Sequence, residues 1–261
     1  MNSLQLTDLR ITIIGLGNLA WNLIPNLQAI GHVQQIIGRS NVDAFRETYQ
    51  IPFAAKSLGE LHPETNLVFL TVGDQAIPSV ASTLASLSRT DCLFVHCSGS
   101  TPLSSLADLG AHIGVLYPFQ TFTRQQLRSF REVPLFIEGN SHVLATLRAL
   151  ADALSEQVHQ LDSLGRRQLH LAGVLSCNFT NLLYRLSEDL IQKDSTMDFQ
   201  VFEPLVRTHI ENVFSAGPRF SQTGPAIRRD ERTLALHMDL LKDQPRIQLL
   251  YQLMTELIQD D

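Results

Sequence analysis

Over the first 160 residues, short apolar runs alternate with stretches whose apolar residues recur at helical spacing. Leu9–Ile14, Val33–Ile37, Asn66–Val72, Cys92–Cys97, Ile113–Leu116 and Pro134–Glu138 read as strands, and the segments between them as amphipathic helices. This alternation predicts an α/β fold with a mostly parallel sheet covered by helices on both faces. The strands are apolar throughout, as burial on both faces requires. After Gln157–Leu161 the pattern changes. Asp162 or Ser163 can cap a helical pattern that runs to about Gln192 without a proline, and only helical patterns follow. The division expected is an α/β domain over 1–161 and a smaller all-helical domain over 162–261. Turn signals at Asp194–Asp198, Ala216–Pro218 and Gly224–Pro225 separate the later helices.

The first strand runs into Gly15-Leu16-Gly17-Asn18-Leu19-Ala20 and then into a helix. In this GxGxxA turn Gly15 permits the tight bend, Gly17 lets backbone approach a pyrophosphate, and Ala20 allows close packing of helix on strand. The helix start, with Asn18 and Leu19, offers backbone N–H groups to a phosphate. The motif alone is weak, since such turns also serve as plain connections; a strand before it and a helix and second strand after it strengthen the Rossmann reading. Pro25 lies inside the first helix and is expected to kink or shorten it.

The second strand ends Ile37-Gly38-Arg39-Ser40, with no carboxylate before Asp43. An NAD-selective domain usually places Asp or Glu there for the ribose 2′-OH, whereas Arg39 and Ser40 suit a 2′-phosphate. NADP(H) is therefore the expected cofactor. The competing view of Arg39 is a solvated arginine, or one that stacks on adenine without selectivity. Val72, Gly73 and Asp74 follow the next strand and should border the ribose and nicotinamide; Asp74 can equally cap the following helix. Ser98, in His96-Cys97-Ser98-Gly99-Ser100, either lines the nicotinamide pocket or stabilises a turn.

Composition narrows the class further. A formal charge of −6, with 20 scattered Lys and Arg residues, supplies no footprint for nucleic acid or an anionic membrane. No apolar run approaches the ~18 residues of a membrane span, and the first ten residues lack a basic region followed by an apolar one. A cytoplasmic location is expected. The three cysteines form no CxxC pair, and the nine histidines form no HxH or HExxH motif, so neither a disulfide framework nor a metal site is expected.

The GLGNLA turn, GRS, HCSGS at 96–100, YPFQTF at 117–122, HLAGVLSCNFTNLL at 170–183 and TGPAIRRDERTLALH at 223–237 together resemble an oxidoreductase family that joins a Rossmann-like domain to a DUF2520 domain. The chain is more distantly similar to pyrroline-5-carboxylate reductase, ketopantoate reductase and β-hydroxyacid dehydrogenases. The resemblance implies a C-terminal domain like that of 6-phosphogluconate dehydrogenase and a homodimer formed through its helices. Where the family pattern reads HPLQTF, this chain carries Tyr117, whose hydroxyl can serve a substrate pocket.

Regular helical spacing would align His170, Asn178, Asn181 and Arg185 along one polar stripe, beside a small-residue stripe of Gly173, Cys177 and Thr180 that suits tight packing. The dehydrogenase relatives carry a lysine four residues before an asparagine on the corresponding helix. Here that spacing from Asn178 falls on Val174. His170 can replace the lysine as acid or base, or serve only as a hydrogen-bonded structural residue. Asn178 is the candidate for orienting substrate, with Asn181 beside it. Arg228 either binds an anionic substrate group, pairs with Asp230, or supports a dimer. The leading expectation is an NADP(H)-dependent oxidoreductase acting on a small C=O or C=N compound in a cleft between the domains. Its rival is a non-catalytic NADP(H)-binding sensor that acts through its dimer or a partner.

Overall fold

The computed structural model of the chain describes residues 6–87, 91–192 and 197–260; the turn signal at 194–198 lies largely outside them. Eight strands form one sheet: β1 (Arg10–Ile14), β2 (His32–Ile37), β3 (Phe53–Ala55), β4 (Leu67–Leu70), β5 (Leu93–His96), β6 (Ile113–Pro118), β7 (Leu135–Gly139) and β8 (Val158–Gln160). Their order is β3-β2-β1-β4-β5-β6-β7-β8, and every pairing is parallel except β6 with β7. The fold class is thus α/β with a mostly parallel Rossmann-type sheet, as the apolar runs predict. The three-residue β3 is too short for periodicity to reveal it.

The helices are α1 (Asn18–Gln28), α2 (Val42–Tyr49), α3 (Ile77–Ala85), α4 (Ser141–Leu154), α5 (Ser163–Gly173), α6 (Thr180–Gln192), α7 (Glu203–Ala216), α8 (Glu231–Leu240) and α9 (Pro245–Gln259). Side chains alternate across the strands. Ile11 and Ile13, with Leu67 and Phe69, enter a core shared with α1, α2 and α4. Ile14, Val68 and Leu70 face the other way, against α3 and Leu106. Burial on both faces explains why these strands lack polar alternation.

Pro25 does not end α1, which continues to Gln28. A proline there cannot donate to the carbonyl of residue 21, one turn back. The Tyr49 hydroxyl on α2 supplies that bond instead, donating to the Trp21 carbonyl at 2.6 Å. Burial pushes the Tyr49 hydroxyl up to about 12, so it keeps the proton it donates. Trp21, Phe45 and Tyr49 pack their rings around this point.

The helical pattern begins where expected, since the Asp162 side chain accepts from the Gly165 N–H and caps α5. The compact units divide later, into Met1–Asn181 and Leu182–Asp261. Arg166, one turn into α5, ties that helix to the sheet. Its side chain is fully buried and donates through Nη1 to the carbonyls of Ser98 and Thr101 at 2.7 and 2.8 Å, and through Nη2 to Glu138 of β7 at 2.7 Å. Ser163 donates to the second Glu138 oxygen at 2.6 Å and accepts from the Leu103 N–H.

In the second unit Asp230 caps α8, accepting from the Thr233 N–H and hydroxyl at 3.1 and 2.8 Å. His237 on α8 and Tyr251 on α9 hydrogen-bond at 2.8 Å. Among its described hydrophobic residues only Ala226 and Leu241 are buried, while Phe214 is 88% exposed. No described helix is long and apolar enough to cross a membrane.

The proline repair predicts a measurable coupling. Tyr49→Phe, which orphans the Trp21 carbonyl, is expected to destabilise the protein by about 1–2 kcal/mol in denaturant unfolding. In a Pro25→Ala background a backbone N–H can take over that carbonyl, and the cost of Tyr49→Phe should fall to about half or less. Equal costs in the two backgrounds would refute the repair.

Candidate active site

The site begins at the carboxyl end of β1. Gly15 has φ +103°, and a side chain there would place Cβ 2.6 Å from the Val72 nitrogen. The turn is pinned on both sides: Gly15 N–H donates to the Ile37 carbonyl at 2.9 Å, and the Thr71 hydroxyl donates to the Gly15 carbonyl at 2.6 Å. Gly17 is the N-cap of α1 and makes no side-chain cap, and nothing lies within 4 Å of where its Cβ would be. Open space therefore faces the first turn of a helix whose leading N–H groups, those of Asn18 and Leu19 among them, have no intrahelical acceptor. That combination fits a pyrophosphate.

A cavity of about 500 Å³ adjoins the turn. Gly15, Gly17, Arg39, Ser40, Val72 and Gly73 line it, together with Lys56 and Ser79, and no carboxylate does. The structure thus brings most of the sequence-derived cofactor residues onto one cavity. Asn18, Leu19, Asp74 and Ser98 lie outside its lining. The Asp74 carboxylate accepts from the Ser100 hydroxyl at 2.5 Å and makes no helix cap. Ser98 is buried, and its hydroxyl oxygen accepts from the N–H groups of Ser100 and Thr101 while donating to the Thr101 hydroxyl. It organises a turn.

His96 is also structural. Its Nδ1 accepts from the Ser98 N–H at 3.2 Å. Burial, then the Arg166 guanidinium, lower its pKa to about 3, which keeps the ring neutral near pH 7.

A second cavity, of about 370 Å³, opens at the end of β6. Tyr117, Phe119, Gln120 and Thr121 form one side; His170, Gly173, Val174, Ser176, Cys177 and Asn178 form the other. The Tyr117 hydroxyl and His170 Nδ1 are 3.1 Å apart. Burial is the main reason the Tyr117 hydroxyl is pushed up to about 12, so it keeps its proton; which of the two groups donates depends on the His170 tautomer. Gly99 makes the pair possible, because a Cβ there would lie 2.6 Å from His170 Nδ1 and 2.7 Å from Tyr117 Cζ.

The helix carrying this face is not regular. Between α5 and α6 the chain opens into a π-helix over Val174–Phe179, a feature that often accompanies functional sites. The wider turn changes which side chains share a face. His170, Cys177 and Asn178 line the cavity, but Asn181 and Arg185 do not. Gly173 packs under Phe119, 2.7 Å from ring to imagined Cβ, and the Cys177 thiol lies 3.6 Å from the Thr121 hydroxyl. Val174 fills the position where the dehydrogenase relatives carry lysine. Arg228 is exposed in the second unit and lowers the Asp230 carboxyl only through space, after that group's bonds to Thr233.

Lys56, Arg166 and the loop from Phe119 to Thr121 escape sequence reasoning. Lys56 follows a strand too short to detect, and Arg166 stands beside an exposed arginine, Arg167, with nothing in the sequence to say which turns inward. Phe119 to Thr121 lie in a motif whose family signal is clear but whose geometry needs the folded loop.

Residues 10–97 match the family described as NADP oxidoreductase coenzyme F420-dependent, and residues 133–258 match the Domain of unknown function (DUF2520). The crystal structure of a "putative NADP oxidoreductase" from Bacteroides fragilis is 35% identical, with a TM-score of 0.89 over 98% of this chain and 100% of that one. The protein TM1727 from Thermotoga maritima is 21% identical, with a TM-score of 0.78 over 96% and 98% of the two chains. An imine reductase from Bacillus cereus shares the fold at 15% identity, with a TM-score of 0.63 over 96% and 92%. No curated protein matches. The two matched segments and the full-length relative together place the chain in the oxidoreductase family that joins a Rossmann-type NAD(P)-binding domain to a DUF2520 domain.

Proposed function

We propose that the protein is an NADP(H)-dependent oxidoreductase that reduces, or forms by oxidation, a small C=O or C=N compound. The observation that carries this reading is the Tyr117–His170 pair, which borders its own cavity at the same strand-end rim as the glycine-turn cavity. Bound nicotinamide supplies the hydride. The protein's own task is to orient the acceptor and handle one proton. Tyr117 holds His170 in the tautomer that presents Nε2–H, a donor to an oxygen or nitrogen that gains negative charge. Asn178 adds an amide able to orient the same group, and Phe119 with Val174 supplies apolar walls. The existence of an imine reductase with this fold is compatible with a C=N substrate. Val174 leaves proton handling to His170.

The selectivity reading is that Arg39 and Ser40 hold the 2′-phosphate, since the cavity they line contains no carboxylate for a free ribose hydroxyl. The protein is further proposed to form a homodimer through its second unit. Leu205, Phe214, Leu240 and Leu257, on α7, α8 and α9, are each at least 66% exposed, an amount of apolar surface that a second copy would cover.

Three measurements test these readings. With NADPH and a panel of aldehydes, ketones, keto acids and imines, turnover is expected, and His170→Ala should lower kcat by about 10²-fold or more with little change in NADPH affinity. Binding without turnover across the panel would replace catalysis by the sensor reading. In calorimetric titrations NADPH should bind more tightly than NADH, and Arg39→Ala should weaken NADPH by about 10-fold or more while sparing NADH. Sedimentation of the wild type should give a dimer and Phe214→Glu a shift toward monomer; a wild-type monomer at all concentrations would reject the interface.

A further inference from the structure

Lys56 has no role in the sequence reading, yet the fold delivers it to the same rim as Arg39. Strands β2 and β3 pair in parallel with Ile37 opposite Ala55, and the Gly38 N–H donates to the Ala55 carbonyl at 3.1 Å. Residues 39 and 56 therefore leave the carboxyl ends of neighbouring strands, and both line the 500 Å³ cavity with Ser40 and Ser79. The nearest carboxylate along the chain is turned elsewhere. Glu60 accepts from the Ser57 N–H at 3.1 Å while the Ser57 side chain accepts from Gly59 N–H, a closed capping box. Among the described residues neither Lys56 nor Arg39 makes an ion pair.

Two cations facing one cavity without a counterion repel each other, and a dianion placed between them relieves that repulsion. Their chemistries are complementary. Arginine grips a phosphate through a planar fork, and lysine adds a compact charge with three rotatable donors. We propose that Lys56 is a cofactor-specificity residue: with Arg39 and Ser40 it binds the 2′-phosphate of NADP(H), closing the subsite from the sheet edge. The inference rests on the NADP(H) reading above and adds the second cation to it.

Direct binding decides the matter without any substrate. Calorimetric titrations would compare wild type, Lys56→Gln, Lys56→Arg and Arg39→Ala, each with NADPH, NADH, adenosine 2′,5′-bisphosphate and 5′-AMP. Lys56→Gln is expected to weaken NADPH and the bisphosphate by about 10-fold, to leave NADH and 5′-AMP within about 2-fold, and to flatten the salt dependence of NADPH binding. Lys56→Arg should keep most of the affinity. If wild type prefers NADPH and Arg39→Ala abolishes the preference while Lys56→Gln changes nothing, Lys56 is a solvated lysine and this inference falls alone. Equal weakening of NADPH and NADH would move Lys56 to a shared part of the cofactor and also overturn it. If wild type binds NADPH and NADH equally, the NADP(H) reading itself fails and takes this one with it.

Discussion

The buried guanidinium of Arg166 is the constraint on which the site's geometry depends. A charge removed from water needs an opposite charge and hydrogen bonds to offset its lost hydration, and loss of one partner of such a pair costs about 3–5 kcal/mol. Glu138 neutralises Arg166, and the carbonyls of Ser98 and Thr101 accept from its Nη1, while the buried Nε makes no hydrogen bond among the described residues. Three separate parts of the chain are thereby tied together: the turn after β5, the strand β7 and the first turn of α5. The value of the pair lies less in net stability than in the fact that few alternative arrangements would satisfy it.

What this tie positions is chemical. The turn after β5 carries Gly99, whose missing side chain makes room for the Tyr117–His170 contact, and α5 carries His170 itself. Helix, turn and strand must be held together for the Tyr117 hydroxyl and His170 Nδ1 to meet at 3.1 Å. The π-helix that follows α5 carries Cys177 and Asn178, which line the cavity that His170 borders. Burial holds the neighbouring His96 neutral, and its Nδ1 accepts from the Ser98 N–H of the turn.

Local repairs show how context overrides a sequence rule. Pro25 should weaken α1, and in isolation it would. The helix runs on because a tyrosine from α2 donates the bond that the proline cannot. No rule of local spacing connects residues 21 and 49. Likewise, the alignment of His170 with Asn178, Asn181 and Arg185 assumes 3.6 residues per turn, and one stretch of wider winding is enough to separate the last two from the cavity.

Much was nonetheless legible in the chain alone. The six longer strands, the glycine turn, Arg39 at the end of β2, the cap at Asp162 and the family motifs all depend on local steric and periodic effects, which act on neighbours in sequence. They determine the α/β class, the dinucleotide turn and the family. The pairing of β2 with the short edge strand β3, the inward course of Arg166 rather than Arg167, the meeting of Tyr117 with His170 and the arrival of Lys56 beside Arg39 were decided only by tertiary structure. Each joins residues distant in sequence, or depends on which side of an element is buried, and burial is a property of the packed chain.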